Sequence, residues 1–260
     1  MVLGLPSPNR QKLPFSPLEL TVCQVRFEET LAIADAKLIL AIRDRLGGES
    51  RYPRLEQEQP SFQVAVSAQG APTQPLMGQV FGWKLQSADA TWRVSIMPTF
   101  VALETTDYDT WEDFGPQMGV LLDATAELIS PALEQRLGLR YIDRLRDLQI
   151  RESKGWADYV TSPLSGILMH ESLGPAVATS QQQALLDLGG ELKCLLRHGQ
   201  PEGDDHTYVL DYDIFRQSAR PFDASTIKTA LRQFSDAALQ LFHASLNPDY
   251  LARLLEGKAS

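Results

Sequence analysis

The chain has 260 residues, of which 43% are hydrophobic and 22% are charged, as expected for one large domain or two closely packed halves. Its formal net charge of −9 repels nucleic acid and anionic membranes, and no run of Lys and Arg offsets this. No apolar run approaches the roughly 20 residues of a membrane-spanning helix, and no signal peptide is recognisable. We therefore expect a cytoplasmic protein.

The first half of the chain predicts a strand, a helix, further strands and a second helix. Residues 1–16 contain prolines and show no periodicity, which predicts a flexible arm. Apolar alternation predicts a strand in 17–29, and apolar residues at helical spacing predict a helix in 33–48. The polar stretch 51–60 predicts a connection. Strands are predicted after it in 62–69, 81–87, 91–99 and 100–106.

An acidic stretch marks the start of the long helix predicted in 109–133. Either Asp109 or Thr110 can cap its first turn, and Glu112 and Asp113 lie where helix N–H groups favour negative charge. A Gly-Pro pair in the second turn predicts a kink or a restart. The alternative is a pair of catalytic carboxylates, which would have to face each other across a cleft. Helix capping is the favoured interpretation.

The second half of the chain repeats this order. A strand is predicted in 135–150, followed by a partly helical stretch in 155–169 that Pro163 interrupts. A long amphipathic helix is predicted in 223–246, and a short helix in 247–257 closes the chain. Three strands are predicted between these helical regions, in 176–189, 190–199 and 207–217.

Both halves thus have the order strand, helix, antiparallel strands and long helix, although their sequence identity is poor. The predicted fold class is α+β, with two pseudo-repeated halves that form one curved antiparallel sheet with helices on one face. This architecture is like that of helix-grip or TATA-binding-protein folds. The predicted division is an arm in 1–16, a first half in 17–134 and a second half in 135–260, packed as one globular unit.

The sequence contains none of the short motifs that carry nucleotide binding or hydrolysis. There is no G-x-G-x-x-G, phosphate-loop, G-x-S-x-G or H-E-x-x-H pattern. The histidines lack zinc-ligand spacing, and the polar cluster in 198–206 is typical of a solvated turn. Cys23 and Cys194 lie in apolar stretches and are expected to be buried free thiols, with a disulfide or a reactive thiol as the alternative. We predict no catalytic residue, no metal site and no cofactor.

Charged residues inside predicted strands form the candidate site. In the strand predicted for 135–150, arginines alternate with Leu139, Tyr141 and Asp143, so the arginines share one face. The favoured interpretation is a structural network of cross-strand ion pairs. The alternative is a polar pocket in which three arginines hold an anion, because guanidinium groups bind phosphate and carboxylate in bidentate fashion. The candidate ligand-binding residues are Arg26, Glu104, Arg140, Arg144, Arg197, Asp211 and Asp213, and the three arginines of the pocket are Arg140, Arg144 and Arg197.

Several stretches, namely PLELTVCQVRF, GWKLQSADATWRVSIMPTFVALETTDYDTWEDF, RLGLRYIDRL, LLRHG and YVLDYDIF, resemble a sporadically distributed bacterial family of uncharacterised proteins. The resemblance extends over 17–255 and is most specific in 82–114. It implies a single-module protein encoded in an accessory locus, such as a defence, toxin-neutralising or specialised-metabolism locus. It supplies no catalytic residues.

Two classes of function follow. The favoured one is a non-enzymatic binding protein, an immunity, antitoxin or defence-type module that grips a protein or a ligand on the saddle surface of its sheet. The acidic charge suits a basic protein partner. The alternative is a sensor or enzyme that binds an anionic small molecule, such as a nucleotide, through the Arg-rich face. Membrane and nucleic-acid partners are disfavoured, and homodimer formation is left open.

Overall fold

A single antiparallel sheet of ten strands organises the part of the chain that the computed structural model describes. The structure describes residues 5, 8–58, 82–150, 152–204 and 206–258, so the strand predicted in 62–69 lies outside the described residues. The strands are β1 (Leu18–Phe27), β2 (Arg54–Glu58), β3 (Gly82–Gln86), β4 (Trp92–Met97), β5 (Phe100–Thr105), β6 (Leu133–Arg146), β7 (Gln182–Gly189), β8 (Leu192–Gly199), β9 (Thr207–Arg216) and β10 (Arg220–Pro221).

The helices lie between and after the strands. They are α1 (Ala36–Arg45), α2 (Gly48–Arg51), α3 (Trp111–Ala124, extended by a π-helical turn Thr125–Ile129), α4 (Ser162–Ser165), α5 (Ala224–Ser245) and α6 (Pro248–Glu256). Short 3₁₀ turns occupy Ala32–Ala34, Ser153–Asp158, Gly166–Met169 and Gly174–Ala176. Over the described ranges, no helix is both long enough and apolar enough to cross a membrane.

The two long strands β1 and β6 lie side by side in the interior of the sheet. The strand order is β2-β3-β4-β5-β1-β6-β9-β8-β7, and β10 pairs with the start of β6. Every pair of neighbouring strands is antiparallel. The predicted α+β class and the antiparallel sheet are thereby confirmed.

Side-chain alternation gives the sheet an apolar face and a polar face. The register aligns Leu103, Cys23, Leu139 and Ile214 across four neighbouring strands, and all four side chains are fully buried. Buried residues of α1, α3 and α5 belong to the same core, which places these helices on the apolar face. Burial of each large apolar side chain stabilises the fold by about 1.5–3 kcal/mol. Cys23 and Cys194 are buried free thiols, as predicted.

The two long helices begin at capping residues that the sequence indicates. The Thr110 hydroxyl accepts a hydrogen bond from the Asp113 N–H at 3.2 Å, and the Asp223 carboxylate accepts one from the Thr226 N–H at 2.7 Å. Helix α3 continues through Pro116 to Ala124, so the predicted restart does not occur. Because Pro116 lies near the helix start, its missing N–H removes only one intrahelical hydrogen bond.

Three predicted elements differ from those observed. The stretch 51–60, predicted as a connection, contains β2. This strand pairs with β3 at one end of the strand order, where most of its residues are polar. Lys84 on β3 binds Glu58 on β2 at 2.9 Å. The strand predicted in 176–189 is β7. It begins only at Gln182, after a 3₁₀ turn at Gly174–Ala176. The stretch 155–169 forms short turns and the one-turn helix α4.

Candidate functional site

The predicted charged residues lie on the polar face of the sheet, opposite the core. Their positions in the strands alternate with buried residues. They are distributed over five strands, with Arg26 on β1, Glu104 on β5, Arg140 and Arg144 on β6, Arg197 on β8, and Asp211 and Asp213 on β9. The alternation of residues along the strands therefore predicted correctly that these side chains lie on the polar face.

Asp211 is the centre of an ion-pair cluster. Its carboxylate accepts hydrogen bonds from Arg140 Nε and Nη2, both at 2.7 Å, and from Arg197 Nη1 at 3.3 Å. The Asp211 side chain is only 7% exposed, whereas those of Arg140 and Arg197 are 41% and 42% exposed. Arg136 Nη2 donates to both carboxylate oxygens of the neighbouring Asp213, each at 3.0 Å. Carboxylates thus bind the arginines of this cluster.

Other carboxylates pair with the remaining predicted residues. Arg144 and Arg146 bind the two oxygens of Glu19 at 2.6 and 2.7 Å, and these contacts lower the pKa of Glu19, the Arg144 hydrogen bond most strongly. Glu104 pairs with Arg93. Arg26 is exposed, and its register neighbours are Phe100 and Arg136. The structure therefore brings Arg140 and Arg197 together around Asp211, but directs Arg144 to a different carboxylate.

Replacing Asp211 by Asn should lower the free energy of unfolding by about 1–3 kcal/mol, because two guanidinium groups would lose charge-assisted hydrogen bonds. The matched variant Glu19→Gln also removes one carboxylate that binds two arginines. It should cost less than about 1 kcal/mol, since that carboxylate is 40% exposed. Urea unfolding of both variants at pH 7 tests the difference. Equal losses of unfolding free energy in the two variants would contradict this prediction.

A cavity of about 170 Å³ lies on the opposite face, between the sheet and helices α3 and α5. Its most buried lining residues are Tyr141 and Asp143 on β6, Tyr212 on β9, and Ser235, Ala238 and Phe242 on α5. Its more exposed lining includes Arg10, Gln11, Lys12, Leu13, Tyr108, Asp109, Trp111 and Glu112. Below, this space is called the Asp143 cavity.

Asp143 is a buried acid to which the described residues supply no partner. It is 5% exposed, and no hydrogen bond or ion pair to its carboxyl group is found within the described ranges. Its strand register sets it beside Leu18 and Leu210. Burial raises the pKa of Asp143 to about 8, because the charged form loses its hydration. The carboxyl group is therefore mainly protonated at neutral pH and can donate a hydrogen bond into the cavity.

Two tyrosines line the cavity together with this acid. The Tyr212 side chain is fully buried, and its hydroxyl lies near Asp143 and Ser245 without forming a hydrogen bond of normal geometry among the described residues. The Tyr141 hydroxyl lies 3.4 Å from Ser235 Oγ. Burial raises the pKa of both phenols well above the usual value, so both remain neutral. The buried end of the cavity thus offers neutral hydrogen-bonding groups set among aromatic rings.

The N-terminal segment lies at the exposed end of the cavity. Arg10 pairs with Asp236 on α5, and Lys12 pairs with Asp109. The Gln11 side-chain amide donates to the Leu255 carbonyl oxygen at 3.2 Å. Residues that the sequence assigns to a flexible arm therefore contact α5, the start of α3 and α6.

The acidic residues predicted at the start of α3 divide between the first turn of the helix and the lining of the cavity. Asp113 lies in the first turn, as the sequence indicates, and its N–H donates to the capping Thr110 hydroxyl. Asp109 and Glu112 line the exposed end of the cavity, where Glu112 pairs with Arg232. The charged cluster and the Asp143 cavity share strands β6 and β9 but lie on opposite faces of the sheet. The sequence signal for the cavity was an acid in the apolar phase of β6, between Tyr141 and Leu145.

Comparisons with known proteins give little similarity. No protein-family model and no curated protein matches the chain. Among solved structures, the chain is similar to the one described as "Crystal structure of the di-domain ARO/CYC StfQ from the steffimycin biosynthetic pathway". That match covers 92% of this chain and 97% of the other, at 9% sequence identity and a TM-score of 0.16. A TM-score of this size does not establish a common fold, so the residues of this chain alone support the assignments that follow.

Proposed function

We propose that the chain is a non-enzymatic binding protein that holds a small ligand in the Asp143 cavity. One observation carries the proposal: the Asp143 carboxyl and the Tyr212 hydroxyl are both buried, both unpaired within the described residues, and both line the same space. A buried polar group without a hydrogen-bond partner costs free energy until a ligand or water satisfies it. Convergent polar groups in a largely apolar pocket are typical of ligand sites.

The wider setting of this binding protein is an accessory bacterial locus. The stretches that resemble the sporadically distributed family support this setting, and membership of that family is part of the proposal. The strand order supports a duplicated origin of the curved sheet: β1 and β6 are adjacent, the strands after each extend the sheet away from the other, and each set ends in a long helix, α3 or α5. A helix-grip arrangement of this kind leaves room for a ligand between sheet and helix.

A thermal-shift screen of the purified full chain tests the proposal. The screen would include amines, alcohols, carboxylates, nucleotides and acyl-CoAs of graded size. We expect a rise in Tm of several degrees with compounds small enough for the cavity, because a ligand that binds only the folded state stabilises it by mass action. The cavity-filling variant Ala238→Phe should lose this rise.

The control variant is Ala244→Phe, which adds the same ring on an exposed position of the same helix. It should keep the rise in Tm. Should Ala238→Phe unfold, Leu239→Phe at a half-buried lining position replaces it. A rise that survives filling of the cavity would contradict the proposed site, and no rise with any compound would contradict the proposed function.

The polar sheet face is the second candidate site. The observation that favours it is that Arg140 and Arg197 are both about two-fifths exposed while they share one carboxylate. A charged partner could therefore compete for these guanidinium groups. A rise in Tm with an anionic compound that is lost in the triple variant Arg140→Gln, Arg144→Gln, Arg197→Gln, but kept in Ala238→Phe, would support this site in place of the cavity.

A further inference from the structure

We infer that the ligand of the Asp143 cavity is an organic monoamine whose protonated amino group pairs with Asp143 and whose aromatic or apolar body fills the remaining space. The inference rests on the proposed function and names its ligand class. Three features of the lining support it: the charges, the aromatic rings and the size.

Asp143 is the carboxyl group of the lining for which the described residues supply no counterion. The other charged lining residues all have partners, since Arg10 pairs with Asp236, Lys12 with Asp109, and Glu112 with Arg232. Asp143 has none among the described residues and lies at the buried end. A cation brought by the ligand would supply the missing partner, and removal of both charges from water would require such close pairing. An anionic ligand would find only neutral donors at the buried end, and the described cations of the lining, Arg10 and Lys12, are already paired.

Aromatic side chains surround the same space. The rings that line it are Tyr108, Trp111, Tyr141, Tyr212 and Phe242. The face of an aromatic ring attracts a cation, and aromatic groups beside an acid are suited to ammonium recognition. The unpaired Tyr212 hydroxyl can accept a hydrogen bond from the same ammonium group, because a phenol oxygen carries lone pairs. The lining can therefore contact both the ammonium group and the apolar body of an amine.

The size of the cavity limits the body of the ligand. Its volume is about 170 Å³. For comparison, an engineered protein cavity of roughly 150 Å³ binds benzene. An arylalkylamine with one ring fits within this space, whereas most of a nucleotide or an acyl-CoA would extend out of its exposed end.

Isothermal titration calorimetry with three matched probes tests the inference. The probes are phenethylamine, 2-phenylethanol and 3-phenylpropionate, which have similar bodies and differ in charge. We expect phenethylamine to bind the full chain at least tenfold more tightly than 2-phenylethanol, and 3-phenylpropionate to bind most weakly. Asp143→Asn should weaken phenethylamine at least tenfold and change 2-phenylethanol less than twofold. Asp187→Asn, which removes the same charge from an exposed position on β7, should leave all three affinities unchanged.

The outcomes separate the ligand class from the proposed function. Equal affinities for the amine and the alcohol, or an amine affinity that Asp143→Asn leaves intact, would overturn the amine assignment while a binding cavity remains. Failure of all three probes to bind, together with a screen in which no compound raises Tm, would overturn the proposed function itself. Tyr212→Phe provides a second variant: it keeps the ring and should weaken phenethylamine more than 2-phenylethanol. An equal effect on both probes would count against an ammonium contact at Tyr212.

Discussion

Replacing Arg216 by Met should lower the free energy of unfolding by about 3–5 kcal/mol, since loss of one partner leaves a buried charge uncompensated. Arg216 Nε and Nη2 donate to the two oxygens of Glu134, both at 2.8 Å, in a bidentate pair. Glu134 is fully buried and Arg216 is 8% exposed. The pair joins the start of β6 to the end of β9, so loss of Arg216 would leave the buried Glu134 carboxylate without its partner.

The double variant Glu134→Leu, Arg216→Met should recover much of this loss, because neither charge is then buried. Urea unfolding of the single and double variants gives the coupling free energy. The matched control is Arg45→Met, which breaks the exposed pair with Glu127 and should cost less than about 1 kcal/mol. A loss as small for Arg216→Met as for the control would contradict the assignment of a stabilising buried pair.

The sequence predicts which face of a strand a residue occupies better than it predicts the partner. Arg140 lies on the predicted face, yet its bidentate partner is Asp211 and not Asp213, the residue opposite it in register. Sheet twist and a long guanidinium arm bring the diagonal carboxylate within reach. The pair between Glu134 and Arg216 was missed for a related reason: its members are 82 positions apart in the sequence, and only strand pairing brings them together.

For the candidate cavity too, the sequence predicts the strand face but not the partners. Asp143 could be assigned to the apolar face from its phase in β6, because Tyr141 and Leu145 flank it at a period of two. That the acid would remain unpaired depends on which side chains of α5 and of the N-terminal segment cover it, and no local pattern encodes that packing. The strand β2, at one end of the described strand order, was missed because its mostly exposed polar residues lack the alternation that marks a half-buried strand.

Replacing Asp143 by Asn should stabilise the empty protein at pH 8 and have little effect near pH 4. Below about pH 4 the carboxyl group is protonated in both the folded and the unfolded chain. Between about pH 4 and about pH 8 the unfolded chain has lost the proton while the folded protein keeps it, so the free energy of unfolding falls as pH rises. Above about pH 8 both states are ionised and this dependence ends.

The size of the effect follows from the shift in pKa. A rise from about 4 to about 8 corresponds to a contribution on the order of 5 kcal/mol, which Asp143→Asn should remove at pH 8. The measurement is urea unfolding of both proteins from pH 4 to pH 9, and the quantity of interest is their difference. The titratable groups that interact with Asp143 are Tyr212 and Tyr250, and Arg10, Lys12, Asp109 and Glu112 line the exposed end of the cavity; all of them are the same in both proteins.

A difference that does not grow between pH 4 and pH 8 would mean that Asp143 has a partner or is hydrated when folded, and this would also remove the charge argument for an amine ligand. Asp187→Asn should show no such growth, because that acid is exposed on β7. The expected instability of the wild-type protein at pH 8 is the cost of a polar group held ready for a ligand in an apolar site. Phenethylamine at saturating concentration should therefore reduce the pH dependence of the wild-type protein, because the bound ammonium stabilises the ionised carboxylate.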